Sequence, residues 1–285
     1  PRGGMALALC SGIGLVLYIF GFGMKPGNPP AGVLFVILAV VLAASTLQAA
    51  GGLNCILQIA EKVLRKHPKA ICYLAPYITW LLGTMCGTGH TVYAMQPIIY
   101  DVAIKNNIRP ERPMAVASIA NQMGVICSPA SVAAVALISI LDGKMVGGQP
   151  FGFFQLFAIV IPAAIVGIFC AATFSVFRGK DLDKDEDFQK LISDPETREY
   201  VYGETTTLIG IKFSKKEWLS LWFFLGGIAL VALFGCIPEL RPVVGKKPLA
   251  MTTVIQAVML FSAALTYVFC SPKKIDKTSV FSAGM

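Results

Sequence analysis

Cys86-Gly87-Thr88-Gly89-His90-Thr91 breaks an otherwise apolar run between Ala70 and Ile99, and Cys127-Ser128-Pro129-Ala130-Ser131 breaks another between Met114 and Leu141. In hydrocarbon, an unpaired backbone amide costs several kcal/mol, so non-helical chain at that depth persists only where it is packed in protein or lines a cavity. Two such interruptions in succession point to a binding site near the middle of a membrane.

The rest of the chain agrees with a membrane setting. Its 285 residues are 55% hydrophobic and 14% charged, and its mean hydropathy of +0.69 lies outside the range of soluble domains. The fold class expected is an all-α polytopic membrane protein. A net charge of +8 does not point to nucleic acid, because the basic residues sit in short loops between apolar spans, where orientation signals lie. The eight cysteines occur singly, without CxxC pairs, and indicate neither a disulfide framework nor a metal site. No cofactor is expected.

Spans follow from about 20 apolar residues per crossing: Gly3 to Gly23, Ala31 to Ala50, Phe151 to Phe177, Trp218 to Ile237 and Leu249 to Cys270. The glycines of the first span suit close helix contact rather than a cleaved signal peptide. Gly51 to Lys69 is amphipathic, with Leu53, Ile56, Leu57, Ala60 and Leu64 on one side and Glu61, Lys62, Arg65 and Lys66 on the other. That pattern suits a helix in the membrane interface, with an ordinary solvated helix end as the alternative. The acidic run at Asp181, Asp183, Asp185, Glu186 and Asp187 lacks the glycine and terminal glutamate of an EF-hand loop, so 178–217 reads as a solvated linker.

Charge counting orients the chain. If 70–98 enters and returns as a re-entrant hairpin, 19 Lys/Arg fall on one side, among them Arg2 and those of 62–69, 105–112, 178–216 and 273–277. Only Lys25, Lys144, Arg241, Lys246 and Lys247 fall on the other. A full crossing leaves a weaker split of 15 to 9, so the positive-inside rule favours the hairpin and puts the N-terminus and 178–217 in the cytoplasm. Each arm holds about 14 residues, roughly 20 Å of helix, and the tip stops inside a core of about 30 Å. The second break falls in a segment, 113–141, long enough to cross. There Pro129 removes a backbone donor and disfavours helix at Ser128, which fits a broken helix or a simple proline kink.

Neither interrupted segment carries Lys, Arg, Asp or Glu between its bounding residues 70–99 and 114–141. A bound anion would have to be held by helix N-termini, amides and hydroxyls. The candidates are Thr84, Gly87, Thr88, Gly89, His90, Thr91, Asn121, Gln122, Ser128, Pro129 and Ser131. His90 is the one titratable group near either break apart from thiols. It is either a structural hydrogen-bonding residue or a proton carrier.

Longer strings carry a family resemblance. They include Gly51-Gly52-Leu53, His67-Pro68-Lys69, Leu74-Ala75-Pro76, Cys86-Gly87-Thr88-Gly89-His90, Pro97-Ile98-Ile99, Ile108-Arg109-Pro110-Glu111-Arg112-Pro113 and Ser128-Pro129. In these the chain resembles the anaerobic four-carbon dicarboxylate transporters, the Dcu family of DcuA/DcuB type, over nearly its whole length. The resemblance implies a bacterial inner-membrane carrier of fumarate, succinate, malate and aspartate, working mainly by exchange. The implied fold is that of the ion-transporter superfamily, with inverted repeats that each contain a hairpin and a broken helix. On that plan 1–177 is the first repeat, 178–217 a cytoplasmic linker and 218–285 the start of a truncated second repeat, so a fragment is expected. Lipid bilayer is the expected surrounding, and a homodimer and a membrane sensor kinase are partners the resemblance admits. Sodium- or proton-coupled symport and a co-sensor role remain alternatives. An intramembrane enzyme would need a catalytic signature such as HExxH, and none is present.

Overall fold

The computed structural model describes residues 3–25, 31–89, 91–129, 131–141, 144–146, 149–203, 207–244 and 247–270. Its architecture is helical: α1 (Gly3–Val16, continued by a π-turn at Leu17–Gly21), α2 (Ala31–Ala49), α3 (Gly52–Lys66), α4 (Ile71–Cys86), α5 (Thr91–Lys105), α6 (Glu111–Ile126), α7 (Val132–Ile140), α8 (Phe153–Val176), α9 (Glu186–Leu191), α10 (Pro195–Tyr202), α11 (Lys215–Cys236) and α12 (Met251–Cys270). Two antiparallel ladders, Met145–Val146 with Gln149–Pro150 and Val243–Val244 with Lys247–Pro248, lie in the loops after α7 and α11. Each strand is only two residues long, so the fold is all-helical as expected. By length and hydropathy α8, α11 and α12 are each able to cross a membrane, and α2 with α3 forms a further apolar pair bent by 71°.

That bend has a local cause. Gly51 adopts φ +82°, a left-handed conformation that costs little only without a Cβ. Next to it, a Cβ on Gly52 would lie 2.4 Å from Ser220 Oγ, so α3 and α11 meet almost backbone to backbone. Ser214 starts α11 with a capping box, its hydroxyl accepting from the Glu217 amide while the Glu217 carboxylate accepts from the Ser214 amide. Two orphan donors are thereby satisfied.

The helices sort into two packed groups. In one, α2, α11 and α12 pack around Val36, Val40, Leu47, Phe224, Ile255 and Met259 with α3 alongside, as part of a core that is continuous with the other group. In the other, α4 packs most closely on α6, with α5 and α8 alongside. Small residues permit that close approach. An added Cβ on Gly124 would fall 2.2 Å from the Trp80 carbonyl oxygen, and one on Gly83 would fall 2.4 Å from that of Asn121. Hydroxyls then bridge the helices: Thr79 donates to the Ala117 carbonyl (3.0 Å) and Thr84 to that of Gly124 (3.2 Å).

Helices α4 and α5 form a hairpin. Arg65, just upstream of α4, pairs with Asp101 in the last turn of α5 at 2.8 Å. The chain thus leaves and returns at one end of the molecule. The arms are 16 and 15 residues long, with the second running to Lys105 rather than stopping at 98. Residues 178–203 and 207–211 close over that same end. They carry helices α9 and α10 and are bonded to the body at both ends, where the sequence pattern read as a solvated linker.

Candidate functional site

The hairpin turn starts at Gly87, which caps α4 in a left-handed conformation (φ +65°). From there the tip is fastened to α6 by Asn121, whose side chain is fully buried. The Asn121 amide donates to the Gly89 carbonyl (2.7 Å), and its oxygen accepts from the Thr91 hydroxyl (2.8 Å). Gly89 also packs onto Gln122, where an added Cβ would come within 2.5 Å of Nε2. The structure therefore brings together Gly87, Thr88, Gly89, Thr91, Asn121 and Gln122. Every group in this contact is neutral.

Beside the tip lies a cavity of about 260 Å³ on the seam between the two helix groups. Cys86, Thr88, Thr91, Tyr93 and Ala94 line it from the hairpin, Gln48 faces it from α2, and Phe224 closes it from α11. No charged side chain takes part in the lining. The first turn of α5 contributes to it, and the first amide donors of a helix have no partner within the helix. Aligned peptide dipoles add a partial positive charge there, so an anion is favoured without any Lys or Arg. Gln48 and Tyr93 were not among the sequence candidates: Gln48 reaches the tip only through the tertiary fold, and Tyr93, two residues beyond Thr91, sits within the apolar run that follows the break.

Other candidates hold the frame instead. The Thr84 hydroxyl is committed to the Trp80 and Gly124 carbonyls. At the second break Cys127, Ser128, Pro129 and Ser131 are all buried. The Ser131 hydroxyl accepts from the Ala133 amide (3.2 Å) and caps α7, which gives it a local structural task. His90 lies outside the described residues, so the proton-carrier reading has no geometry to stand on.

At the other end of the hairpin the chemistry is ionic. Glu61 is fully buried, although helical periodicity assigns it to the polar face of α3. It accepts from Arg65 Nε (2.9 Å), from the Thr207 hydroxyl (2.6 Å) and from the Leu208 amide (2.8 Å). Arg65 continues to Asp101, which also pairs with Lys105 (2.7 Å). Nearby, Arg112 donates to the Arg178 and Gly179 carbonyls (both 2.8 Å) and to Asp181 (2.7 Å), while Arg109 pairs with Asp185. Part of the acidic run is thus a set of arginine partners. Among the described residues no group of three or more His, Cys, Asp or Glu side chains is placed to hold a metal.

These features define a class first: a polytopic helical membrane protein with an uncharged cavity at a hairpin tip, set where two helix groups meet. Within that class, the chain belongs to the anaerobic C4-dicarboxylate membrane transporter family, whose model matches residues 2–285. It is 55% identical over 286 residues to the anaerobic C4-dicarboxylate transporter DcuB of Escherichia coli O157:H7 and of Shigella flexneri, covering 100% of this chain and 64% of each relative. It is 33% identical over 288 residues to the C4-dicarboxylate transporter DcuA of Escherichia coli K12, covering 99% of this chain and 64% of that protein. The chain therefore spans a little under two thirds of the length of these relatives. No solved structure matches it.

Proposed function

We propose that the full-length protein carries four-carbon dicarboxylates across the bacterial inner membrane, mainly by exchange, and that the hairpin tip holds one substrate carboxylate. The observation that carries this reading is the uncharged cavity at Thr88 and Thr91, lined by the first turn of α5 on one side and by α2 and α11 on the other. The Thr88 hydroxyl and free helix amides hold a carboxylate without a fixed counter-charge, while the Thr91 hydroxyl stays on Asn121 and holds the tip in shape, so the empty site stays neutral. One helix group then moves past the other with the substrate held at the seam. On this reading the second carboxylate is met by a partner repeat, and fumarate, succinate, malate and aspartate share the four-carbon spacing the site measures. The N-terminus, the base of the hairpin and 178–217 face the cytoplasm.

Relatives named as transporters leave no support for an enzyme. The Gly89 carbonyl is already taken by Asn121, which makes it a poorer sodium ligand and places symport behind exchange. The test is uptake of labelled fumarate by vesicles holding the full-length protein, with and without internal succinate, in sodium-containing and sodium-free buffer. Exchange predicts uptake that requires internal succinate and ignores sodium. Uptake that needs sodium and no internal substrate overturns it.

A further inference from the structure

An apolar groove and a cationic pocket lie one after the other along the seam between α6 and α8. The groove has a volume of about 330 Å³ and is lined by Val116 and Met123 of α6, by Cys127 just beyond it, and by Val160, Gly167 and Ala171 of α8. Apart from the Cys127 thiol, its lining is wholly apolar. From Val116 to Cys127 the chain rises about 16 Å at helical pitch, close to half of a hydrocarbon core of about 30 Å. The groove is therefore one leaflet deep. An added Cβ on Gly167 would meet nothing within 4 Å, so there is open space at that point.

About one turn before Val116, a second cavity of about 560 Å³ is lined by Arg112, Val176, Phe177, Lys180, Asp181 and Lys184. The Ser175 hydroxyl bonds the Arg112 carbonyl at 2.9 Å and ties the two helices together at this end. Arg112 is spent on Asp181 and on two carbonyls. Lys180 and Lys184 are exposed and form no ion pair among the described residues. Asp183, between them in sequence, is not part of the lining. Phe177 is 82% exposed at the same level.

We propose that this seam binds one phospholipid with an anionic headgroup, its phosphate between Lys180 and Lys184 and one acyl chain in the α6–α8 groove. A soluble anion would satisfy only the pocket, and a lipid without net charge only the groove. The occupant that fits both is apolar over one leaflet and negative at the end where Lys180 and Lys184 stand. Basic pockets beside membrane helices recognise such headgroups by this charge match.

The test uses the full-length protein in nanodiscs of equal phosphatidylglycerol and phosphatidylcholine, with retained lipid counted by native mass spectrometry. Phosphatidylglycerol is expected to be retained preferentially, and K180Q/K184Q to lower that preference roughly tenfold or more. K190Q/K212Q, which alters two exposed lysines of the same polar segment, leaves it unchanged. Gly167→Leu fills the groove and lowers retention of both lipids. A photoreactive label on Gly167→Cys should crosslink to lipid. Equal retention of the two lipids, an unchanged preference in K180Q/K184Q, or crosslinking of the label to a second copy or another protein segment overturns the proposal.

Discussion

The two ends of the α4–α5 hairpin are held by opposite chemistries. At the tip, Asn121, Thr91 and Gly89 make neutral hydrogen bonds over glycine contacts. At the base, Glu61, Arg65, Asp101 and Lys105 form a chain of ion pairs, and Arg109 and Arg112 bind the strap that follows α8. Charges are costly inside a membrane and cheaper near its surface. The division lets the base be fixed by charge while the tip stays free of charged side chains.

The strongest way to break this comparison is to wedge the tip away from α6. Gly124→Val places side-chain carbon against the Trp80 carbonyl and the Thr84 amide, and is expected to cost about 3 kcal/mol or more. Folded yield and melting temperature in detergent measure it, and a normal melt would show that the helices are not in backbone contact. Glu61→Ala should come next, at about 3 kcal/mol, because it strands the Thr207 hydroxyl and the Leu208 amide and leaves Arg65 with one carboxylate. Its effect should appear as faster proteolysis around 203–215 while the tip stays intact. Asn121→Ala should cost about 2 kcal/mol by leaving the Thr91 hydroxyl and the Gly89 carbonyl without their partner. Its hydrogen-exchange signature should be confined to residues 84–95, the reverse of the Glu61 pattern.

The smallest effect is a pH effect in the strap. Asp194 caps α10 by accepting from the hydroxyl and amide of Thr197, which holds its carboxyl below the usual range. The cap's contribution is complete above the ordinary carboxylate range and is lost as pH falls through the lowered value. Asp194→Ala should therefore speed amide exchange in α10 at neutral pH and make no difference well below that range.

Much of the tip was legible in the sequence, because glycine, threonine and proline inside an apolar run are a local signal. Cys86 to Thr91 and Cys127 to Ser131 mark the hairpin turn and the α6–α7 break where the chain places them. The ionic base was not legible. Glu61, Asp101 and Thr207 are far apart in sequence, and periodicity within α3 cannot show that a later polar segment covers its charged face. Gln48 escaped for the same reason, since its place in the cavity depends on α2 packing beside the tip.

The central claim is that the neutral tip binds a substrate carboxylate. Its most direct test is labelled fumarate uptake by succinate-loaded vesicles carrying the full-length protein with Thr88→Val, which keeps side-chain shape but removes the hydroxyl, beside Asp183→Asn in the strap. A loss of at least about tenfold for Thr88→Val, equivalent to one hydrogen bond to a charged group, with Asp183→Asn unaffected, is the predicted result. Near-normal uptake by Thr88→Val would contradict the claim and move the binding site away from the hairpin tip.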